Sequence, residues 1–231
     1  MKKLIIRIIK TRIVSAMLHK ILKTKFVQKK RVKRYLANNK VHKLQIGYGN
    51  FPLEGWLNTG IDFWECWNGM YMDAGKPFPL PDNSFDYVFS EHLFEHLTFP
   101  QAQNMLKECY RVMKPGAVMR IATPNLRFLL DLYENPEKPI HKAYMEFSVK
   151  NLGMPQTPVY VINRFHTSWG HKIVYDMETL SKLLADNGFK NITPCEMSKS
   201  EHPALNGIES HFKIFPYEFI HLETMILEVT K

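Results

Sequence analysis

The sequence predicts an α/β fold with a mostly parallel sheet and helices on its faces. Short runs of β-branched and aromatic residues alternate with segments of helical period from residue 43 onward. With 231 residues and 45% hydrophobic content, the chain is long enough to bury one sizeable core. It shows no internal repeat and no low-complexity segment, so we expect one domain over residues 43–231.

The first half of this domain is predicted to supply five strands and one helix. The helix spans residues 101–113, where apolar residues recur at helical spacing, and Lys114-Pro115-Gly116 ends it. The connection over residues 50–56 is too short for a crossover helix between the first two strands. The predicted strands are residues 44–46, 57–63, 71–73, 85–90 and 118–122.

The second half is less regular. Residues 135–175 are rich in Pro, aromatic residues and His without a clear period, and we predict an inserted cap or a long loop there. A helix over residues 177–187 is predicted to end at Gly188, and a terminal strand follows over residues 223–230.

Charge is distributed unevenly along the chain. Residues 1–43 hold 15 Lys and Arg residues and no acid, since the first acidic residue is Glu54. This leaves 16 of the 31 basic residues and all 22 acidic residues to residues 44–231, which carry a formal charge of −6. We therefore divide the chain into a basic leader, residues 1–42, and an acidic domain.

The leader is also amphipathic. This pattern suits a helix on an anionic membrane surface, and residues 1–34 are the segment expected to reach it. Docking to a partner protein and simple packing against the domain are the alternatives. Nucleic-acid binding is not expected, because aromatic residues are nearly absent among the basic ones. The apolar residues that recur in pairs every four positions are Ile13, Val14, Met17, Leu18, Ile21 and Leu22.

The location predicted for the protein is cytoplasmic, peripheral at a membrane. Cys66, Cys109 and Cys195 lie far apart and form no CxxC pair, which favours a reducing compartment. Residues 1–6 resemble the start of a signal peptide, but basic residues interrupt residues 7–12 and no small-residue cleavage site follows. Every longer apolar stretch is broken by Lys or Arg, so none is expected to span a membrane.

The predicted fourth strand ends in a cluster of ionisable residues. In an open α/β sheet, ligands bind at the carboxyl ends of strands, so this junction is a candidate reaction centre. Glu91 and His92 lie nearest the strand end and are the candidate catalytic residues. Glu95 and His96 are expected to pair structurally at a helix start.

In their order along the chain, several segments resemble the class I S-adenosylmethionine-dependent methyltransferases. The resemblance is to the methyltransferase type 11-like group that is associated with bacterial surface polysaccharides. It covers residues 43–231 and implies a Rossmann-like, doubly wound sheet of seven strands with an antiparallel terminal strand. The segments that carry it are residues 44–50, 55–59, 72–74, 78–86, 90–96, 111–116, 120–125 and 169–171.

The resemblance implies S-adenosylmethionine as the cofactor. It places the methionine end at the glycine turn after the first strand, where missing side chains let a ligand approach the backbone. It gives Asp73 the adenine amino group. The residues expected to bind the cofactor are Gly47, Tyr48, Gly49, Asp62, Asp73 and Ser90.

The chain departs from the family pattern at two positions. Tyr48 stands between the two glycines, where relatives often have Cys, Ser or Ala. Gly60 replaces the acid that usually holds the ribose hydroxyls. Asp62 lies two residues further on, on the same face of an extended strand, and is the expected substitute.

A zinc peptidase is the rival interpretation of the cluster. Residues 92–96 read H-x-x-E-H, and on a long helix His92 and His96 would share a face, with Glu95 as the base. A predicted strand enters the string directly, and Pro100 follows within four residues of His96. We therefore predict no metal site.

The expected reaction is methyl transfer to a small or glycan-like acceptor, with a hydroxyl as the receiving group. Such a transfer mainly requires positioning and the exclusion of water, and His92 is the candidate base for a hydroxyl. The alternative function is a non-catalytic methyltransferase-like module that binds a membrane or a partner protein. The residues expected to line the acceptor site are Arg164, His166, Trp169 and His171.

Overall fold

The computed structural model describes residues 12–153 and 155–231. Its centre is one seven-stranded sheet in the order β3-β2-β1-β4-β5-β7-β6. Strands β1 to β5 pair in parallel, whereas β7 runs antiparallel to both neighbours. The predicted α/β fold, with its mostly parallel seven-stranded sheet and antiparallel terminal strand, is confirmed. The strands are β1 (Lys43–Ile46), β2 (Leu57–Gly60), β3 (Met70–Tyr71), β4 (Phe85–Glu91), β5 (Met113–Pro124), β6 (Lys190–Pro194) and β7 (Thr224–Thr230).

Local sequence signals set where the main helices begin. Thr98 and Gln101 form a reciprocal capping box at the start of α4, and Pro100 follows where a missing N–H does no harm. Asp176 caps α8 by accepting from the N–H of Thr179 at 2.8 Å. The helices are α1 (Arg12–Leu22), α2 (Lys25–Asn38), α3 (Phe63–Asn68), α4 (Phe99–Val112), α5 (Leu126–Glu134), α6 (Pro139–Leu152), α7 (Pro158–Thr167), α8 (Met177–Asp186) and α9 (Tyr217–Glu223).

Two predicted segments are wrong in part. The second strand ends at Gly60 rather than at residue 63, because Asp62 and Glu65 form a capping box that starts α3. The segment over residues 135–175 contains the helices α6 and α7. Both begin with Pro in the first turn, and their aromatic residues bury against a second cluster, so no single apolar stripe marked them.

The connection between β1 and β2 holds no crossover helix, as its length predicted. Gln45, a buried side chain on β1, replaces that helix as the support for the loop. Its Nε2 donates to the carbonyl of Phe51 at 3.0 Å, and its Oε1 accepts from the N–H of Leu53 at 3.0 Å. The loop is thereby fixed without burying unpaired backbone groups.

The core lies in two parts. The larger cluster packs the sheet against α2, α4 and α8 and includes the fully buried Phe85 and Met105. A second cluster around Phe128 and Tyr144 joins α5, α6, α7 and α9 above the carboxyl ends of the strands. Burying each such side chain contributes about 1.5–3 kcal/mol to the free energy of folding. The second cluster is what forms a roof over the candidate site.

The basic leader packs against the domain through α2. Val32 is buried in the main core, and the Tyr35 hydroxyl oxygen lies 2.9 and 3.0 Å from the carbonyl oxygens of Lys43 and Gly55, to either of which it can donate. On α1, Leu22 is buried and His19 Nε2 donates to the carbonyl of Ile61 at 2.9 Å. Part of the predicted leader therefore shares the core of the domain, and Ile13 lies outside the described side chains. In the described ranges we find no helix both long and apolar enough to cross a bilayer.

Candidate active site

The glycine turn follows β1, at the carboxyl edge of the sheet. Gly47 and Gly49 have positive φ values of +67° and +53°, which favour glycine. The N–H groups of Gly47 and Tyr48 both donate to the carbonyl of Thr59, at 2.8 and 3.1 Å. A Cβ at Gly47 would lie 2.9 Å from Leu93 Cδ1, whereas one at Gly49 would meet no atom within 4 Å. The second glycine therefore borders open space.

Tyr48 does not point into that space. Its side chain is buried, and its hydroxyl donates to the carbonyl of Glu65 in α3 at 3.1 Å. Burial, with the nearby Glu65 carboxylate, raises the pKa of Tyr48 to about 12. The residue thus ties the glycine turn to α3, and the space beside the turn stays open.

The end of β2 explains why the chain has Gly60. A Cβ at this position would lie 2.3 Å from Glu65 Oε2. That carboxylate oxygen accepts from the N–H groups of Ile61 and Asp62, both at 2.8 Å. The Glu65 carboxylate thus occupies the space beside Gly60, and Asp62 reaches the neighbouring cavity.

Asp73 and Ser90 lie at the carboxyl ends of β3 and β4, on the same edge of the sheet. Asp73 lies just beyond β3, where Oδ1 accepts from the N–H of Gly75 and Oδ2 pairs with Lys76, both at 3.0 Å. Ser90 is buried at the end of β4, and its Oγ has no hydrogen-bond partner among the described residues. An unpaired buried hydroxyl, a glycine turn and two carboxylates are groups that fit a nucleoside with a zwitterionic tail.

A cavity of about 640 Å³ lies between the strand ends and the helices above them, and of the residues predicted to bind the cofactor it is Asp62 that lines it. Asn50 and Asp62 line it on the side of the glycine turn, and imidazoles and carboxylates line its floor. The roof comes from six aromatic side chains, namely Tyr144, Phe147, Phe165, Trp169, Phe215 and Phe219. The volume is that of a small-molecule site with an apolar wall and a few convergent polar groups.

His92 lies on the floor of the cavity in a left-handed backbone conformation, with φ +46°. Its Nδ1 is 3.3 Å from Glu95 Oε1, and its Nε2 is 3.1 Å from the hydroxyl of Thr224. The ring stacks on His211 with 4.1 Å between centroids. Burial lowers the pKa of His92, but the Glu95 carboxylate outweighs it, and the net pKa is raised.

Glu95 is fully buried beneath His92. Thr123 donates to its Oε2 at 3.0 Å, and its Oε1 lies 3.3 Å from His92 Nδ1 and 3.9 Å from His171 Nε2. Burial raises the pKa of Glu95, and His92 lowers it by more, so the net pKa is lowered. The prediction that Glu95 pairs with His96 is wrong, because the carboxylate faces His92 instead.

Glu95, His96 and His171 also converge, with their potential ligand atoms all within 4.8 Å of one another. The Nδ1–H of His171 donates to the carbonyl of Phe165 at 2.7 Å, which leaves Nε2 facing the cavity. His92 precedes the short 3₁₀ helix Phe94–His96, so the two histidines of the H-x-x-E-H string share no long helix. That separation removes the geometry that the peptidase interpretation needs, and the absence of a metal stays a prediction.

Glu91, the second predicted catalytic residue, lies outside the lining of the cavity. Its carboxylate accepts from the N–H groups of Ser210 and His211 and from the Ser210 hydroxyl, all at 3.0 Å. Successive strand residues point to opposite faces, which sends Glu91 away from Ser90 and toward this segment. Its position is that of an anchor for His211.

The four residues predicted for the acceptor site separate into two pairs. Trp169 and His171 line the cavity. Arg164 instead stacks over the Trp169 ring, 4.4 Å from its centroid, and His166 is exposed on α7. The structure therefore brings Trp169 and His171 to the site, and Arg164 contacts the ring face of Trp169.

Several residues of the site were missed by the sequence analysis. His211, Phe215, Phe219 and Glu223 come from the segment that precedes β7, and Tyr144 comes from α6. Burial raises the pKa of Glu223, and the Tyr144 hydroxyl donates to its carboxylate. The available signal was composition, because residues 211–223 hold 6 aromatic or His residues in 13, a denser set than the 9 in 41 of residues 135–175.

Comparison with known proteins gives matches to parts of the chain. Residues 67–121 match a family model described as a methyltransferase domain. A probable S-adenosylmethionine-dependent methyltransferase of Mycolicibacterium smegmatis is 41% identical over 63 residues, 27% of this chain and 24% of that one. A ubiquinone/menaquinone biosynthesis C-methyltransferase of Yersinia pestis is 29% identical over 131 residues, 54% and 47% of the two chains. The chain thus spans about a quarter and about half the length of these relatives.

Structural comparison also matches the chain to two S-adenosylmethionine-dependent methyltransferases. One, from Archaeoglobus fulgidus, has a TM-score of 0.47 at 18% identity and covers 90% of this chain and 95% of that one. The other, from Mesorhizobium loti, has a TM-score of 0.49 at 12% identity, with 90% and 99% covered. The family match and the two relatives make this chain similar, over parts of its length, to methyltransferases, one of them a probable S-adenosylmethionine-dependent enzyme.

Proposed function

We propose that this chain transfers a methyl group from S-adenosylmethionine to a hydroxyl of a small or glycan-like acceptor. One observation carries the proposal. A single cavity is lined on one side by Asn50 and Asp62, beside the glycine turn, and on the other by His92 beneath an aromatic roof. Methyl transfer is an in-line displacement. The methyl group of the cofactor and the hydroxyl of the acceptor must therefore lie next to each other, and a shared cavity allows this.

The cofactor side is assigned to the carboxyl ends of the first four strands. Gly49 borders open space at the turn, Asp62 and Asp73 offer carboxylates after β2 and β3, and Ser90 offers an unpaired hydroxyl. When bound there, S-adenosylmethionine supplies an electrophilic methyl group on a sulfonium. Carboxylates accept hydrogen bonds from ribose hydroxyls and from an adenine amino group.

The acceptor side is assigned to the roof and its polar neighbours. Aromatic rings such as Trp169 and Phe215 offer flat apolar faces, which suit the C–H face of a sugar ring. His171 and Glu223 supply polar groups between those rings. The resemblance to a group associated with surface polysaccharides makes a glycan-like acceptor the first class to test.

His92 is the proposed base. A carboxylate at Nδ1 fixes the orientation of the ring and stabilises its charged form, as in a hydrolase triad, which leaves Nε2 to accept a proton. In this structure Nε2 contacts the Thr224 hydroxyl, and an acceptor hydroxyl would take that place. A positioned base of this kind contributes about 10²–10⁴-fold to a rate.

The test is the release of S-adenosylhomocysteine from S-adenosylmethionine in the presence of defined acceptor classes. The panel contains sugars and oligosaccharides, phenols, amines and a quinol that is methylated at carbon. We expect turnover with the hydroxyl compounds, and His92→Gln should lower kcat by about 10²-fold or more while the His166→Gln control should not. Turnover confined to amines or to the quinol carbon would overturn the acceptor assignment. Tight S-adenosylhomocysteine binding without turnover on any class would favour the non-catalytic module.

A further inference from the structure

The outer surface of α1, α2 and α3 exposes large apolar side chains. Helices α1 and α3 lie in contact through His19, which reaches the carbonyl of Ile61 and packs edge-on against Phe63 with 6.1 Å between ring centroids. We call the exposed set the leader patch; its members and exposed fractions are Met17 (62%), Ile21 (53%), Phe26 (76%), Trp64 (47%) and Trp67 (40%).

The leader patch is the outward face of an amphipathic arrangement. Met17 and Ile21 are one turn apart on α1, whereas Leu22 of the same helix is buried against the domain. Trp64 and Trp67, three residues apart, also lie about one turn from each other on α3. Single exposed apolar residues are ordinary, but two such pairs on touching helices form a surface that water solvates poorly.

Positive charge surrounds these apolar residues. Residues 12–43 hold 11 Lys and Arg residues and no acid. Lys20, Lys25, Lys29, Lys30 and Lys33 are exposed, and none of them forms an ion pair with a carboxylate in the part of the chain that the structure describes. Phe26 shares a groove with Lys30 and Lys33. Within the described residues, no carboxylate ion pair neutralises these five lysines.

We infer that the leader patch docks the protein on a membrane surface that contains anionic lipids. Apolar insertion and a polybasic segment are the two contributions that stable peripheral binding requires. Each Lys or Arg near an anionic surface adds to the attraction, and tryptophan favours the headgroup region. The inference is independent of the proposed methyl transfer, because the leader patch shares no residue with the cavity.

Other occupants fit the surface less well. A nucleic acid would pair with the lysines but would leave Met17 and Ile21 in water, since bases stack on aromatic rings rather than on aliphatic chains. A second copy of this chain would bring a strongly positive surface against an identical one, which is repulsive. A bilayer with anionic headgroups satisfies the charge and the apolar side chains together. The cytoplasmic leaflet, where we predict the protein, has that composition.

Vesicle flotation of the full chain tests the inference. We expect binding to vesicles of phosphatidylcholine with about one third phosphatidylglycerol to exceed binding to pure phosphatidylcholine by about tenfold or more, and to fall in about 0.5 M salt. Met17→Gln/Ile21→Gln should lose most of the binding, and so should Lys29→Gln/Lys30→Gln/Lys33→Gln. The matched control is Leu130→Gln/Tyr133→Gln, which removes two exposed apolar side chains from α5 and should bind normally.

Tryptophan emission gives a second readout. Anionic vesicles should shift the emission of the full chain to the blue, and Trp64→Phe/Trp67→Phe should abolish the shift while Trp169→Phe should retain it. Equal binding to both vesicle types, or full binding by the Met17/Ile21 variant, would overturn the inference. It would also be overturned if DNA, added at the same concentration of negative charge as the vesicles, displaced the protein from them. Binding of S-adenosylhomocysteine measured on the same preparations separates this outcome from failure of the proposed function.

Discussion

The carboxylate of Glu91 accepts hydrogen bonds from both the N–H and the hydroxyl of Ser210, each at 3.0 Å. This contact joins the last residue of β4 to the segment that carries His211 into the cavity. His211 in turn stacks on His92. Glu91 therefore positions one wall of the site without lining it, although it is the sequence neighbour of the proposed base.

We predict that Glu91→Gln lowers the free energy of unfolding by about 1.5–3 kcal/mol, because charge-assisted bonds to the 210–211 segment are lost. Urea denaturation measures this, with the exposed Glu54→Gln as a control that should change little. Loss of methyl transfer by a Glu91→Gln protein of unchanged stability would show a catalytic rather than a positioning role.

We predict that Glu95→Gln lowers the pKa of His92, because the carboxylate that stabilises its charged ring is gone. NMR titration of the imidazole measures it, with the resonance assigned by its loss in His92→Gln. The drop should exceed that in Glu91→Gln, since Glu95 is nearer and buried. A His92 pKa unchanged by Glu95→Gln would refute the proposed pair.

The same pair has a stability consequence of defined sign. The folded pKa of His92 lies above its unfolded value of about 6.5, so its contribution is fully present below that pH. The contribution is lost as the pH rises through the folded pKa, and Glu95→Gln should remove this part of the pH dependence.

His211 is predicted to act in the opposite direction. Burial and the neighbouring His92 lower its pKa to about 3. The unfolded state therefore binds a proton that the folded state does not, and stability falls as the pH drops below about 6.5 toward 4. Denaturation midpoints measured across this range should fall less steeply for His211→Gln than for the unchanged protein. If the midpoints of the two proteins fall equally with pH, His211 takes up its proton in the folded protein as it does in the unfolded one, and the prediction is contradicted.

Gly60 and Glu65 should be energetically coupled. Gly60→Ala places a Cβ against the Glu65 side chain, and we expect a loss of about 1–3 kcal/mol from overpacking. In a Glu65→Gly background the Glu65 side chain is absent, and the same substitution should cost at least about 0.5 kcal/mol less. A double-mutant cycle by urea denaturation provides the measurement, and strictly additive costs would contradict the packing explanation.

The strands, and the sheet edge at which the predicted cofactor residues lie, were predictable because their signals are local. Gly47, Asp73 and Ser90 each follow a short apolar run, and parallel strands bring such ends to one edge. The pairing within the cluster was not predictable. Glu91 and Glu95 both lie near His92 in sequence, and only the folded chain shows that Glu95 is the carboxylate that faces its ring.

The far wall of the site was beyond local reasoning for a different reason. His211 and Glu223 lie more than 100 residues from His92, and they reach it because β7 inserts between β5 and β6. Nothing near His92 in the sequence encodes that return. The role of Gly60 was likewise hidden, because the side chain that fills its space belongs to the following helix.

Calorimetric titration of the full chain with S-adenosylhomocysteine tests the central claim most directly. We predict one site with a dissociation constant within the range of about 1 µM to 1 mM that enzymes show for their ligands. Asp73→Asn and Asp62→Asn should each weaken it about tenfold or more, and Asp62→Asn keeps the helix cap because Asn caps as well as Asp. Asp176→Asn, the same change at the cap of α8, should bind normally. The absence of heat up to about 1 mM ligand, or affinity unchanged in both variants, would contradict the account.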